Sequence, residues 1–110
     1  NGAEIMVDAA QFAPHRPIDM GDQQDPEHID YLAFSAHKIY APFGIGVLVA
    51  NRKAFEDGEP DYVGGGTLEL VFMDHVLWAD VPEKEEAGTP NVVGAAAMAK
   101  ALEVVMENRY

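Results

Sequence analysis

Two short, wholly apolar runs, each closed by a polar residue, set the strongest limit on what this chain can fold into. Ile5-Met6-Val7 ends in Asp8, and Tyr31-Leu32-Ala33-Phe34 ends in Ser35. Unbroken apolar runs of this length suit strands buried on both faces of an α/β sheet. Residues 9–30 leave enough chain between them for a crossover connection, so the two strands can run parallel. A third run, Gly46-Val47-Leu48-Val49-Ala50, follows a stretch that contains Pro42 and Gly44 and has no helical period. A parallel return normally needs a helix in that space, so the third strand is predicted to lie antiparallel to the second. Leu68–Phe72 and His75–Trp78 read as two further strands around a tight turn at Met73-Asp74. Thr89-Pro90 offers an N-cap residue followed by proline at the first helical position, and Val92–Met106 is rich in Ala, Leu, Met and Val. That helix is apolar on most of its faces, so other protein is expected to cover it. The fold class is α/β, with a mixed, mostly parallel sheet, one antiparallel strand and flanking helices.

Charge and composition remove several classes of function. Seven Lys plus Arg stand against 19 Asp plus Glu, a net charge of −12. Binding nucleic acid through its backbone needs clustered cations, and so does binding an anionic membrane surface, so neither partner is expected. The apolar stretches are far shorter than the roughly 20 residues of a membrane span. Without cysteine there is no disulfide, zinc–thiolate site or thiol nucleophile within these residues, and no metal is expected. A cysteine-free chain is compatible with the cytoplasm, the expected location. The acidic stretches at residues 19–30 and 56–61 lack the central Gly and closing Glu of an EF-hand loop, and read as solvated connections. The chain opens at Asn1-Gly2-Ala3 without a signal-like segment and stops within a helical pattern. It reads as a piece of a larger protein, with 110 residues enough for one domain at most.

Familiar phosphate and nucleophile motifs are missing. There is no P-loop and no Gly-x-Ser-x-Gly elbow, and Gly44-Ile45-Gly46 precedes a strand instead of opening a helix. His15, His28, His37 and His75 lack the i, i+4 pairing of a zinc helix. What remains is a group of polar residues at two strand ends. Asp8 and Gln11 follow the first run, and Ser35, His37 and Lys38 follow the second. Ligands in open α/β sheets bind beyond the carboxyl ends of the parallel strands. A lysine there can form a Schiff base with an aldehyde, and a carboxylate can keep a pyridine nitrogen protonated. A hydroxyl and an imidazole can donate hydrogen bonds to an anion. The set suits pyridoxal 5'-phosphate. Two other readings remain open: an acidic interaction module without catalysis, and a hydrolase using Ser35 and His37, which would share a face if both lay on one strand.

Val7-Asp8-Ala9-Ala10-Gln11 and Phe34-Ser35-Ala36-His37-Lys38, followed by Gly44-Ile45-Gly46-Val47-Leu48, resemble the core of the class V aminotransferases. Gly64-Gly65-Gly66-Thr67 and Glu86-Ala87-Gly88-Thr89-Pro90-Asn91 extend the likeness in the expected order, over essentially the whole chain. The family has the fold-type I architecture of pyridoxal-phosphate enzymes and includes cysteine desulfurases and selenocysteine lyases. The resemblance implies that residues 1–110 are part of the cofactor-binding large domain, without its N-terminal portion or the C-terminal small domain. It implies that Lys38 is the Schiff-base lysine and moves the substrate's α-proton, that Asp8 holds the pyridinium nitrogen, and that Gln11 bonds the ring hydroxyl oxygen. Ser35 and His37 would bind the phosphate. Thr89 would reach the cofactor phosphate of the partner subunit in a homodimer. Gly65, Gly66 and Thr67 resemble a segment near the cofactor at that interface, and His15 is a candidate for a substrate-side role.

The Glu86–Asn91 segment is most typical of the desulfurase and selenocysteine lyase branch, although related aminotransferases and epimerases share it. An amino-acid substrate is implied, with a sulfur acceptor if the protein is a desulfurase. In such families the ring-stacking residue and a further phosphate loop precede a segment like this one. The carboxylate-binding Arg and the persulfide Cys follow it. The isolated 110-residue chain is therefore expected not to turn over substrate, and normal activity from it would refute this division of the site.

Overall fold

The computed structural model describes residues 2–109, which form two compact units: one runs up to Ala50 and resumes at Asn91, and the other is Asn51–Pro90. The first unit is built on three strands, Met6–Asp8 (β1), Tyr31–Ser35 (β2) and Gly46–Ala50 (β3), in spatial order β1-β2-β3. β1 and β2 are parallel, with Met6, Val7 and Asp8 opposite Tyr31, Leu32 and Ala33. β3 returns antiparallel to β2, from Tyr31 opposite Ala50 to Ser35 opposite Gly46. Both directions agree with the connection lengths.

Burial on this sheet is one-sided. The register puts Val7, Leu32, Phe34 and Val47 on one face, because paired residues in a pleated sheet point the same way. Leu32 is buried there, and beside it an apolar groove of about 280 Å³ is lined by Ile18, Phe34, Leu102 and Val105 among others. On the other face Met6 is 65% exposed and Leu48 51%. The expectation of strands covered on both sides is corrected: the outer strands β1 and β3 leave their large apolar side chains on the second face exposed. The helix Val92–Arg109, in the same unit, behaves likewise: Val105 is buried, but Val92, Val93, Val104 and Met106 are exposed. Expected cover over most of its faces is absent among the described residues.

The crossover from β1 to β2 contains no regular helix; its acidic residues shape it. Carboxylate oxygens of Asp19, Asp22 and Asp25 accept the backbone N–H groups of Gly21, Gln24 and Glu27, three successive Asx turns. The loop then closes on the start of the sheet. Asp30 Oδ2 accepts the Ile5 N–H (2.7 Å), while Oδ1 pairs with His28 Nε2 (2.9 Å).

The helix does not start where Thr89-Pro90 suggested. Asn91 Oδ1 accepts the Gly94 N–H (2.9 Å) and the Asn91 carbonyl accepts the Ala95 N–H (2.9 Å), so Asn91 is the cap. Its short amide side chain folds back onto the first turn, while Pro90 lies just outside the helix. Gly94 belongs to the same device, because a Cβ there would stand 2.5 Å from Asn91 Nδ2.

The second unit holds a one-turn helix, Lys53–Glu56 (α1), and an antiparallel hairpin, Leu68–Val71 (β4) and Val76–Trp78 (β5), with a bulge at Glu69. Lys84 is buried and donates from Nζ to the carbonyls of Glu56 (3.2 Å) and Gly58 (3.1 Å), fixing the second acidic stretch. With α1 assigned, the helix Val92–Arg109 is α2. No helix among the described residues is long and apolar enough to cross a membrane.

Two tests follow from these contacts. Removing the cap with Asn91→Ala should cost about 1 kcal/mol in unfolding of the full-length protein. Gly94→Ala should gain little in the native background, where it displaces the cap, and about 1 kcal/mol once Asn91 is Ala. Additive effects of the two changes would contradict the shared device. His28 titrates above its ordinary 6.5, chiefly through its hydrogen bond to the Asp25 carbonyl, with Asp30 adding to the effect against partial burial. A raised folded-state pKa stabilises most below 6.5 and loses that contribution as pH rises through the folded value. His28→Gln should therefore lower the unfolding midpoint more in acid than in mild base, and an equal loss at both would refute the assignment.

Candidate active site

Because β1 and β2 are adjacent and parallel, their carboxyl ends meet at one rim, about 4.8 Å apart across the ladder. Asp8 lies opposite Ala33, and Ser35 is two residues beyond Ala33, so Asp8 and Ser35 share a sheet face. The ladder continues one step past β1, where the Ala9 N–H donates to the Ala33 carbonyl (2.8 Å), and Ala9 is fully buried. That contact fixes the backbone on which Asp8 stands. Asp8 Oδ1 accepts the Ala10 N–H (3.0 Å), while Oδ2 makes no hydrogen bond among the described residues. The chain then coils through the bonds of the Phe12 and Ala13 N–H groups to the Ala9 carbonyl, which carry Gln11 outward, exposed. His15 sits further along this coil, also exposed, with its N–H on the Phe12 carbonyl (2.8 Å).

Beyond β2 the chain winds into one 3-10 turn, Ala36–Ile39. Ala36 and Ile39 are buried, and at three residues per turn they share the inner side, which leaves His37 and Lys38 on the outer one. The turn ends at Tyr40, in the left-handed region at φ +71°, with its N–H returned to the Ala36 carbonyl. His37 therefore does not share a strand face with Ser35: the buried alanine and isoleucine pull the backbone out of the sheet before His37 is reached. The arrangement required by the Ser35–His37 hydrolase reading is absent. Lys38 is half-buried, and its ammonium makes no hydrogen bond or ion pair among the described residues. The Ser35 hydroxyl and the Gln11 amide are likewise without hydrogen bonds there. The His37 ring stacks on Phe43, with centroids 4.8 Å apart and planes 22° apart.

The remaining sequence candidates belong to the second unit. Thr67 is fully buried, and its hydroxyl donates to the Gly64 carbonyl (2.8 Å) while accepting the Gly64 N–H (3.2 Å). Its one donor is spent on closing its own loop. Gly65 and Gly66 stay exposed, and the Gly88 N–H donates to the Gly65 carbonyl (2.8 Å), which brings the segment carrying exposed Thr89 beside the glycine loop. No group of three or more His, Cys, Asp or Glu capable of holding a metal ion occurs among the described residues. The groups with displaced titration, His28 and Tyr31, lie at the amino-terminal end of β2, away from this rim. Tyr31 is shifted upward by burial first and by its hydrogen bond to Glu4 second.

Sequence reasoning missed Phe43 and Asn91. Asn91 carried a usable signal, since Asn is among the strongest N-cap residues. Phe43 carried none, because its contact depends on how the turn at Pro42 folds.

The three strands, with a polar rim at the ends of the parallel pair, belong to the fold-type I class of pyridoxal-phosphate enzymes. The structure matches a cysteine desulfurase from Escherichia coli in its S-sulfonic acid form at a TM-score of 0.83 and 42% identity, over 96% of this chain and 26% of that one. It also matches the apo cysteine desulfurase of Thermococcus onnurineus at a TM-score of 0.84 and 39% identity, over 98% and 26%. The chain belongs to the class-V aminotransferase family, whose model, Aminotransferase class-V, matches residues 1–110. A probable cysteine desulfurase of Staphylococcus epidermidis is 41% identical over 105 residues, which is 96% of this chain and 24% of the relative. One from Pasteurella multocida is 44% identical over 101 residues, 92% and 23%. The chain thus spans about a quarter of the length of these relatives.

Proposed function

We propose that this chain supplies the amine-bearing half of a pyridoxal-phosphate site in an enzyme that acts on an amino acid, with cysteine desulfurase or selenocysteine lyase-like chemistry. One observation carries the reading. The adjacent parallel ends of β1 and β2 bear an acid with one oxygen unpaired, Asp8, and an amine without a partner, Lys38. The donor set also fits the cofactor chemically, with an amine for an aldehyde, a carboxylate for a pyridine nitrogen, an amide for a ring oxygen, and a hydroxyl and imidazole for a phosphate.

In this reading Lys38 holds the aldehyde carbon and Asp8 the ring nitrogen. Gln11 bonds the ring oxygen, and Ser35 and His37 bind the phosphate. When bound, the cofactor supplies an electron sink for the carbanion left after loss of the α-proton. The Asp8 carboxylate, its Oδ1 held by the Ala10 N–H, would sit against the ring nitrogen and favour a proton there. Once the substrate's own amine has replaced it on the aldehyde carbon, the freed Lys38 Nζ would take the α-proton and return it, and its half-buried position would limit competing water. Thr89 completes the phosphate site of a second subunit in a homodimer, with Gly65, Gly66 and Thr67 shaping the adjoining loop. Because the chain has no cysteine, a sulfur-carrying thiol would come from outside these residues, as would an acceptor for the sulfur. The likeness to cysteine desulfurases at 41–44% identity supports that branch.

Borohydride reduction of the full-length protein with pyridoxal phosphate, followed by peptide mapping, should label Lys38. A label at another residue would overturn the site. Asp8→Asn should lower kcat by about 10²-fold or more, because it removes the charge facing the ring nitrogen. Release of alanine from cysteine, with sulfide appearing when a thiol reductant is present, would support the desulfurase branch, and failure to release alanine would exclude it.

A further inference from the structure

The exposed ring of Phe43 makes a contact that packing does not explain. It is 82% exposed, so it fills no core, yet it lies flat against His37 at 4.8 Å and 22°. The segment that carries it is held directly after the ring, at Gly44 and Ile45. The Ala36 N–H donates to the Ile45 carbonyl (3.1 Å), and Asn91 Nδ2 donates to the Gly44 carbonyl (3.2 Å) while Asn91 Oδ1 caps α2. Gly44 adopts φ +88°, a left-handed conformation that lets the backbone turn there without strain. The amino end of α2 thus fixes Gly44, Gly44 fixes Phe43, and Phe43 meets the imidazole.

We infer that Phe43 is a positioning residue for His37, a flat platform that holds the imidazole in the orientation needed to bind the cofactor phosphate. The inference rests on the proposed phosphate role of His37. An imidazole on the outer side of a single 3-10 turn gets little from its own turn to set its ring torsion, which is broad for an sp³–sp² bond. A stacked ring restricts that torsion through an offset aromatic contact. Restriction before binding raises affinity, because the ordering cost has already been met in the free protein. An aliphatic side chain of similar volume offers no flat face and should not substitute.

The test is titration of the full-length apoprotein with pyridoxal phosphate and, separately, with pyridoxal, which lacks the phosphate. Phe43→Leu should weaken pyridoxal phosphate binding about three- to tenfold, the range of an aromatic pair contact, and leave pyridoxal binding and the unfolding midpoint unchanged. Phe43→Tyr, which keeps the ring, should bind as the native protein does. In a His37→Ala background, Phe43→Leu should have no further effect. Unchanged affinity in Phe43→Leu, equal weakening toward both ligands, or additivity with His37→Ala would each overturn the inference while leaving the cofactor site intact. A native protein that fails to bind pyridoxal phosphate, or carries the borohydride label away from Lys38, removes the underlying reading and this inference with it.

Discussion

The parallel pairing of β1 with β2 is the constraint on which the candidate site depends. Sharing a ladder, the two strands carry their terminal residues to the same rim, and their register of Met6, Val7 and Asp8 against Tyr31, Leu32 and Ala33 decides which side chains share a face. A slip of one residue would turn Asp8 to the opposite face from Ser35. Two devices guard against that slip. At one end, Asp30 ties Ile5 to the start of β2; at the other, the Ala9 N–H extends the ladder onto Ala33. Polar groups near both ends of a three-residue strand thus do what its length cannot.

Beyond the rim, two buried apolar side chains control where the polar ones go. Ala36 and Ile39 face inward from a single 3-10 turn, so His37 and Lys38 have only the outer side left to them. A further strand residue at this point would have sent His37 and Lys38 to opposite faces. The turn also places His37 within reach of Phe43, whose loop is held by the cap of α2. Asn91 is therefore shared between helix stability and the order of the loop that adjoins the candidate site.

Apolar surface is unevenly distributed over the first unit. A sheet of three strands covered on one face leaves Met6 and Leu48 in the open, and α2 shows the same imbalance. The relatives are about four times as long as the stretch they share with this chain. The apolar runs are the signature of a parallel core, whether or not the residues that cover them are among those described.

By itself the sequence determined the places and directions of the strands, the β4–β5 hairpin and the residue types at the two strand ends. These are local properties: apolar runs, turn residues, and connections too short or too irregular for another helix. The resemblance carried by Asp8, Gln11, Ser35, His37 and Lys38 was legible for the same reason, since each belongs to a short motif at a strand terminus. Only the tertiary structure decided that Asn91 and not Thr89 caps α2, that the Thr67 hydroxyl is consumed by its own glycine loop, and that His37 leaves the strand to lie on Phe43. Those outcomes depend on which groups meet after the backbone has turned. A hydrogen-bonding side chain with several partners in reach takes the one that folding brings into line, and no spacing in the chain encodes that choice.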